Sequence, residues 1–262
     1  MGYLVGLDLG SSTTKIAFME NGQITDLIRI DKDDSYEEIL KKKGIERIDK
    51  IVTVGAGSSF LEGDILGIKT EHIEEFEAIA LGGKHRAGFD ECLVVSLGTG
   101  TCMIYAGKDK NTHAGGCGIG GALLASLADY GLGMKNVFEF MDLACEGKAS
   151  KADLQIKDIS KTDIDTLYGE VTVANMAKIT KESAPCDYAY GVCNLVFQNV
   201  GVMAVMAARS FDTKKIVVLG SVANSKIAID SFNAVGKLFG VEFTVPDDSA
   251  FSIAIGAILG RN

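Results

Sequence analysis

Two segments of the chain place glycine, serine and threonine between apolar residues in the same order. One is Leu7-Asp8-Leu9-Gly10-Ser11-Ser12-Thr13-Thr14-Lys15-Ile16-Ala17, the other Val95-Ser96-Leu97-Gly98-Thr99-Gly100-Thr101-Cys102-Met103-Ile104-Tyr105. Each reads as a strand, a small-residue turn and a second strand. Such a turn offers backbone N–H groups and hydroxyls, with no bulky Cβ to hold a phosphate away. Two of them facing each other across a cleft can grip consecutive phosphates. Asp8, at the end of its strand, is placed to hold a Mg²⁺ through water, since hard cations take a carboxylate together with phosphate oxygens. Lys15 lies just past the turn, within reach of the same phosphates. For an isolated hairpin, the plainer reading of Asp8 is a carboxylate that caps its own turn.

A third segment, Gly115-Gly116-Cys117-Gly118-Ile119-Gly120-Gly121-Ala122-Leu123-Leu124, runs into an amphipathic helical pattern. Close backbone approach followed by unsatisfied helix N–H groups makes an anion site. No Gly-Lys-Ser/Thr follows, so this is not a Walker loop, and no strand–GxGxxG–helix unit surrounds it. A fourth, Val217-Val218-Leu219-Gly220-Ser221, is a buried strand ending in Gly-Ser, where a nucleoside can lie on flat backbone. The acid–base candidates are Glu74, Glu75 and Glu77, which open a helix. Carboxylates there also suit the helix dipole, and the pattern does not choose among them. The chain has 31 glycines, an excess of about 13 over average usage. Eight of the 31 fall between Gly98 and Gly121. Glycine carries an entropic cost unless its conformation or missing side chain is used, which points to backbone in contact with a ligand.

The elements that must position these groups follow from periodicity. Strands are expected at Tyr3–Asp8, Lys15–Glu20, Gln23–Ile30, Lys50–Val54, Glu91–Ser96, Thr101–Ala106, Lys215–Leu219 and Val241–Val245. Helices are expected at Asp34–Lys43, Glu75–Gly88, Ile119–Tyr130, Val137–Glu146, Tyr188–Ser210, Lys226–Phe239 and Ala250–Leu259. Interleaved strands and helices read as α/β, with a hairpin opening each half and crossover helices after it. Asp247-Asp248-Ser249 looks like an N-cap cluster for the last helix, and Gly256 within that helix allows close packing.

Composition removes several classes. The chain of 262 residues has a formal charge of −9 and is 47% hydrophobic, which suits a well-cored protein and argues against binding a nucleic-acid backbone. Lys41-Lys42-Lys43 follows Glu37-Glu38 on a helical pattern and reads as a solvated helix end. Asp8 interrupts the first apolar stretch, and the longest later one, Val200 to Ala208, stops at Arg209, so neither a leader nor a membrane span is expected and the location is cytoplasmic. The stretch around Val196–Ala208 reads as lobe core, with a dimer face as the alternative. The six cysteines, 92, 102, 117, 145, 186 and 193, and the three histidines, 72, 85 and 113, show no zinc-ligand spacing. Most of the thiols are expected to be small buried hydrophobes.

Taken together, Asp8–Lys15, Glu75–Ala78, Leu97-Gly98-Thr99-Gly100-Thr101, Gly115–Gly121, Gly220-Ser221 and Ala250-Phe251-Ser252-Ile253-Ala254-Ile255-Gly256-Ala257 resemble, in order and over almost the whole chain, the type II pantothenate kinases of the actin-like ATPase, sugar kinase and Hsp70 superfamily. The resemblance implies two ribonuclease-H-like lobes, 1–90 and 91–262, the second with a helical insert at about 135–185, and a nucleotide cleft between them. It implies ATP and Mg²⁺ in the cleft, a homodimer, and phosphorylation of the primary hydroxyl of pantothenate, which opens coenzyme A biosynthesis. By position, Glu75 matches the general base. Asp8, Gly10, Ser11, Ser12, Thr13, Lys15, Gly98, Thr99 and Gly100 match the phosphate and metal contacts. Gly121, Ala122, Leu123, Leu124 and Ala125 match the start of the nucleotide-binding helix, Gly220 and Ser221 the nucleoside side, and His113 and Gly115 the acceptor side.

Two positions depart from that pattern. The first turn reads Asp8-Leu9-Gly10-Ser11-Ser12-Thr13 where the family usually has Asp-x-Gly-Gly-Thr; serine keeps the amide and adds a hydroxyl. His113 stands where the family carries an arginine that contacts the acidic substrate. Histidine lacks arginine's planar five-donor fork, which opens the reading to another hydroxylated acceptor. A different class in the same superfamily is the ATP-hydrolysing activator of 2-hydroxyacyl-CoA dehydratases, which shares a [4Fe–4S] cluster across a dimer. Its Cys-Ala-Ala-Gly-Thr-Gly signature is absent, and Cys117 sits in a different register.

Overall fold

The two strand–turn–strand segments open two five-stranded sheets of the same connectivity. A computed structural model describes residues 2–31, 34–165 and 167–261. Met1, Lys32, Asp33, Thr166 and Asn262, which fall within the two expected lobes, lie outside the described residues. In the first sheet β1 (Tyr3–Leu9), β2 (Thr13–Glu20) and β3 (Gln23–Asp31) pair antiparallel in succession. Helix α1 (Tyr36–Lys43) crosses to β4 (Ile48–Val54), parallel to β1, and β5 (Thr70–His72) lies parallel to β4. The order is β3-β2-β1-β4-β5.

After α2 (Glu75–Ala87) the pattern repeats. Strands β6 (Cys92–Leu97), β7 (Thr101–Ala106) and β8 (Asn111–Cys117) pair antiparallel in succession. Then come α3 (Gly121–Leu132), α4 (Val137–Ala144), α5 (Ala149–Ala152), β9 (Leu154–Gln155), α6 (Ile156–Ile159), β10 (Thr172–Ala174) and α7 (Pro185–Arg209). Strand β11 (Lys215–Leu219) lies parallel to β6; α8 (Lys226–Phe239), β12 (Glu242–Thr244), parallel to β11, and α9 (Ser252–Leu259) complete the chain. Read from its hairpin edge the second sheet is β8-β7-β6-β11-β12, the order of the first. The repeat seen in the sequence is therefore a duplicated ribonuclease-H-like sheet.

Local chemistry explains most element ends. The Ser35 hydroxyl accepts the Glu38 N–H at the start of α1, Glu37 and Glu38 fill its first turn, and Lys41, Lys42 and Lys43 its last. Both charge sets suit the helix dipole, so the basic run is the solvated helix end expected of it. Two expectations are corrected. Gly115 and Gly116, read from the sequence as the start of a glycine run leading into a helix, belong to the edge strand β8, and the 135–185 segment holds short helices with the β9–β10 pair and is only partly helical. A strand in which glycine replaces β-branched residues has no periodic signal; its partner β7 supplies the order.

The second sheet is covered on one face by α7, whose Val196, Phe197, Val200, Val205 and Ala208 are buried with Leu93, Val95, Ile216 and Val218. Its apolar stretch is lobe core. Among the described residues, α7 alone has the length and apolarity to cross a membrane, and 61% of that window is buried within the protein. The first sheet has its own core of Val5, Leu7, Ile16, Phe18, Leu40 and Ile51. All six cysteines are free, but only Cys92 and Cys193 are fully buried, so the expectation of mostly buried thiols is corrected.

Two helices join the sheets. Ile79 and Ala80 of α2 pack on Val94, Ile104 and Val217, whereas Ala254, Ile255 and Ile258 of α9 pack on Ala17 and Met19 of the first sheet. Where α2 and α9 cross, a Cβ on Gly256 would stand 2.0 Å from the Ala78 carbonyl oxygen, and one on Gly82 1.9 Å from that of Ser252. Asp248 does not cap the last helix. Its carboxylate accepts two bonds from Arg86 at the end of α2, at 2.6 and 2.8 Å, and the Ser249 hydroxyl donates to the Gly220 carbonyl.

Candidate active site

The two small-residue turns meet. Ser11 Oγ, in the β1–β2 turn, lies 2.8 Å from Thr99 Oγ1, in the β6–β7 turn. They stand in a cleft of about 570 Å³ whose charged lining residues are Asp8, Lys15, Arg29 and Glu75. Asp8 and Lys15 face each other across the β1–β2 ladder, 3.7 Å apart, and the Lys15 ammonium hangs over Gly10. Burial pushes the Asp8 carboxyl up to about 6, against the pull of Lys15 and with a further push from Glu75. Glu75 is thus near enough to act on Asp8, and it acts also on Cys102, whose thiol burial lifts to about 11.

A raised carboxylate means that the folded state holds its proton more tightly than the unfolded chain. The Asp8 contribution to stability is therefore full below about 3.8 and is lost as pH rises through about 6. Thermal melting of the ligand-free protein should gain a stabilising component on acidification from pH 7 to 5 that Asp8→Asn lacks. Superposable pH profiles for the two proteins would show that Asp8 titrates normally.

The helix also settles which acid faces the cleft. Glu75 opens α2 at the cleft wall, whereas Glu77 pairs with Arg261 at 3.7 Å and Glu74 is the N-cap without a side-chain bond.

The glycine run works differently from the sequence expectation. The N–H groups of Gly121 and Ala122, the first two of α3, donate to the carbonyls of Gly98 and Thr99 at 2.8 and 3.1 Å, so they are already engaged. A Cβ on Gly120 would lie 2.7 Å from both Gly100 Cα and Thr99 O. The missing side chains let one turn rest on the other, backbone on backbone, with Thr101 Oγ1 donating to the Ile119 carbonyl at 2.6 Å. The run braces the β6–β7 turn.

The remaining expected residues divide. Gly10, Ser11, Ser12, Thr13, Gly98, Thr99, Gly100, Gly121, Ala122, Ala125, Gly220 and Ser221 all line the cleft. Leu123 and Leu124 do not: Leu124 is fully buried and Leu123 packs against the same core, because α3 presents its small residues to the cleft and its leucines inward. His113 and Gly115 lie on β8 outside the cleft lining. The His113 ring stacks on Phe76, the residue after Glu75, at 4.9 Å and 9°. Cleft residues that no motif marks include Arg29, Gly55, Ala56, Val137 and Phe138. Arg29 had a partial signal: the Asn21-Gly22 turn, both residues having positive φ, announces a tight hairpin and fixes the β2–β3 pairing next to the turn, and a bulge then shifts it.

Fold and site together define a protein of the actin-like class, two ribonuclease-H-like lobes whose small-residue turns touch across a cleft. The chain belongs to the Fumble family, whose model matches residues 84–240. It is 25% identical to the type II pantothenate kinase of Staphylococcus saprophyticus over 264 positions, which cover 97% of this chain and 98% of that one. Among solved structures it resembles the activator of the 2-hydroxyisocaproyl-CoA dehydratase from Clostridium difficile with bound ADPNP, with a TM-score of 0.71 at 17% identity, covering 98% of this chain and 93% of that chain. It also resembles a ROK family glucokinase from Streptomyces griseus in complex with glucose and AMPPNP, with a TM-score of 0.60 at 14% identity and 98% of each chain covered. At these identities the structural likeness is one of fold.

Proposed function

We propose that the chain is an ATP-dependent kinase that phosphorylates the primary hydroxyl of pantothenate, the opening step of coenzyme A biosynthesis, and that it acts as a cytoplasmic homodimer with lobes near 1–90 and 91–262. The observation that carries the phosphate reading is the contact of Ser11 with Thr99, which brings two amide-rich turns together beside Lys15 and Asp8. The family and the 25% identity over nearly the full length to a type II pantothenate kinase favour pantothenate as acceptor.

The residues divide the work. The turns at 10–13 and 98–100 orient the polyphosphate through N–H groups and hydroxyls, and Lys15 meets its negative charge. Asp8 would hold Mg²⁺: it is a hard oxygen donor beside the turn, and a value of about 6 leaves it mostly ionised at pH 7. When bound, that ion neutralises charge on the phosphates. Glu75, on the cleft wall, takes the proton of the attacking hydroxyl. Ala122 and Ala125 on one side and Gly220 and Ser221 on the other leave room for the nucleoside. His113, held by Phe76 next to Glu75, lies on the acceptor side.

The test is ADP release from ATP·Mg²⁺ with and without pantothenate. Pantothenate should stimulate it; no stimulation, in protein that binds ATP, would remove pantothenate as acceptor and call for other hydroxylated acids.

A further inference from the structure

We propose that Arg29 is a polyphosphate-binding residue of the cleft, a guanidinium that the first lobe extends to the second and that docks on the ring of Phe138. The proposal rests on the reading of the cleft as a nucleotide site and adds a residue that no motif marks.

Arg29 lies directly opposite Lys15 on the β2–β3 ladder. Residues directly opposite in an antiparallel pair share a face, so the Arg29 side chain leaves the sheet on the same face as Lys15, whose ammonium hangs over Gly10. That placement depends on a bulge. The turn pairs Glu20 with Gln23 and Met19 with Ile24; the register then shifts, so that Phe18 meets Asp26 and Lys15 meets Arg29. Without the extra residue Lys15 would oppose Ile28, and Arg29 would turn to the other face.

Of the charged cleft residues, Asp8 and Lys15 pair with each other, whereas Arg29 has no carboxylate partner among the described residues. Its contact is the Phe138 ring on α4, with the guanidinium carbon 5.1 Å from the ring centroid. Arg29 comes from the first sheet and Phe138 from the second lobe, so the contact spans the cleft. Stacking uses the flat face of a guanidinium and leaves the N–H donors at its edge free, in the planar fork that matches two phosphate oxygens. The charged lining holds two carboxylates, Asp8 and Glu75, and two cations, and because Lys15 is paired with Asp8, Arg29 is the cation left to meet an incoming anion. The ring holds the fork in place before the ligand arrives, which limits the entropy lost on binding.

The experiment measures binding of a non-hydrolysable ATP analogue and of AMP, each with Mg²⁺, to the full chain. Arg29→Ala should weaken the analogue by about 10- to 100-fold, the loss of charge-assisted bonds to phosphate, and leave AMP unchanged. Arg29→Lys, which keeps the charge and loses the fork, should fall between. Phe138→Leu should weaken the analogue in the parent and have no further effect on it in Arg29→Ala, because the ring acts through the guanidinium. Equal losses for AMP and the analogue would mean a structural role and overturn the proposal. So would unchanged analogue binding with a raised KM for pantothenate, which would give Arg29 to the acceptor's carboxylate. Analogue binding that depends on Arg29 in a protein that pantothenate does not stimulate would support the proposal and overturn only the acceptor. A parent protein that does not bind the analogue would overturn both.

Discussion

Glu75→Gln should lower kcat by about 10²- to 10⁴-fold, the range for loss of a general base, while ATP binding is retained. The amide keeps the size of the side chain and cannot accept the hydroxyl proton. Glu75 opens α2 on the cleft wall, in a first turn tied to the second sheet through Ile79 and Ala80, so the substitution leaves the helix in place. Its neighbours do not replace it: Glu77 is turned toward Arg261, and Asp8 is held by Lys15. Loss of the Glu75 charge also removes an upward push on Asp8, which favours its ionised form and hence any cation held there. The kinetics should show kcat and kcat/KM for pantothenate falling together, as expected when an interaction made in the transition state is removed. Turnover close to that of the parent would move the base elsewhere, with Asp8 the next carboxylate in the cleft.

Gly256→Ala should be among the most damaging single methyl groups that can be added to the molecule. Its Cβ would sit 2.0 Å from the Ala78 carbonyl oxygen and 2.7 Å from the Gly82 N, both backbone atoms that no side-chain rotation can move. The α2–α9 crossing must open, and with it a helix pair that packs on both sheets. A cost of about 2–3 kcal/mol is the expectation for overpacking of this kind. For a chain of this size that corresponds to a fall in melting temperature of about 4–12 °C. Gly118→Ala, where an added Cβ meets nothing within 4 Å, is the control and should melt like the parent. If the two variants melt alike, the crossing has more slack than its geometry implies. Because α2 carries Glu75, a surviving Gly256→Ala protein should also lose turnover at permissive temperature.

What the sequence made legible is local. The two Gly/Ser/Thr turns, the strands beside them, the amphipathic helices and the charges at the ends of α1 depend on neighbours a few residues away, and they stand within about three residues of where periodicity puts them. The repeat of Leu7–Ala17 in Val95–Tyr105 carried the duplication further, since it marks the first hairpin of each sheet. The resemblance singled out Glu75 where the acidic cluster alone left three choices, and Glu75 is the one of the three that lines the cleft.

The tertiary structure decided what depends on distant partners. Asn111–Cys117 is a strand because β7 offers it a ladder; its own glycines argue for a loop. The amides at the start of α3 look free in the sequence and are bound by the carbonyls of Gly98 and Thr99, residues about a turn of chain away in space and more than twenty in sequence. The glycine excess is therefore partly a device for resting backbone on backbone, at the Gly120 turn and the Gly256 crossing, and only partly a surface for a ligand. Arg29 shows the limit most plainly. Its turn is written in Asn21-Gly22, but one extra residue in the ladder decides which face its side chain takes, and only the sheet as a whole fixes that bulge.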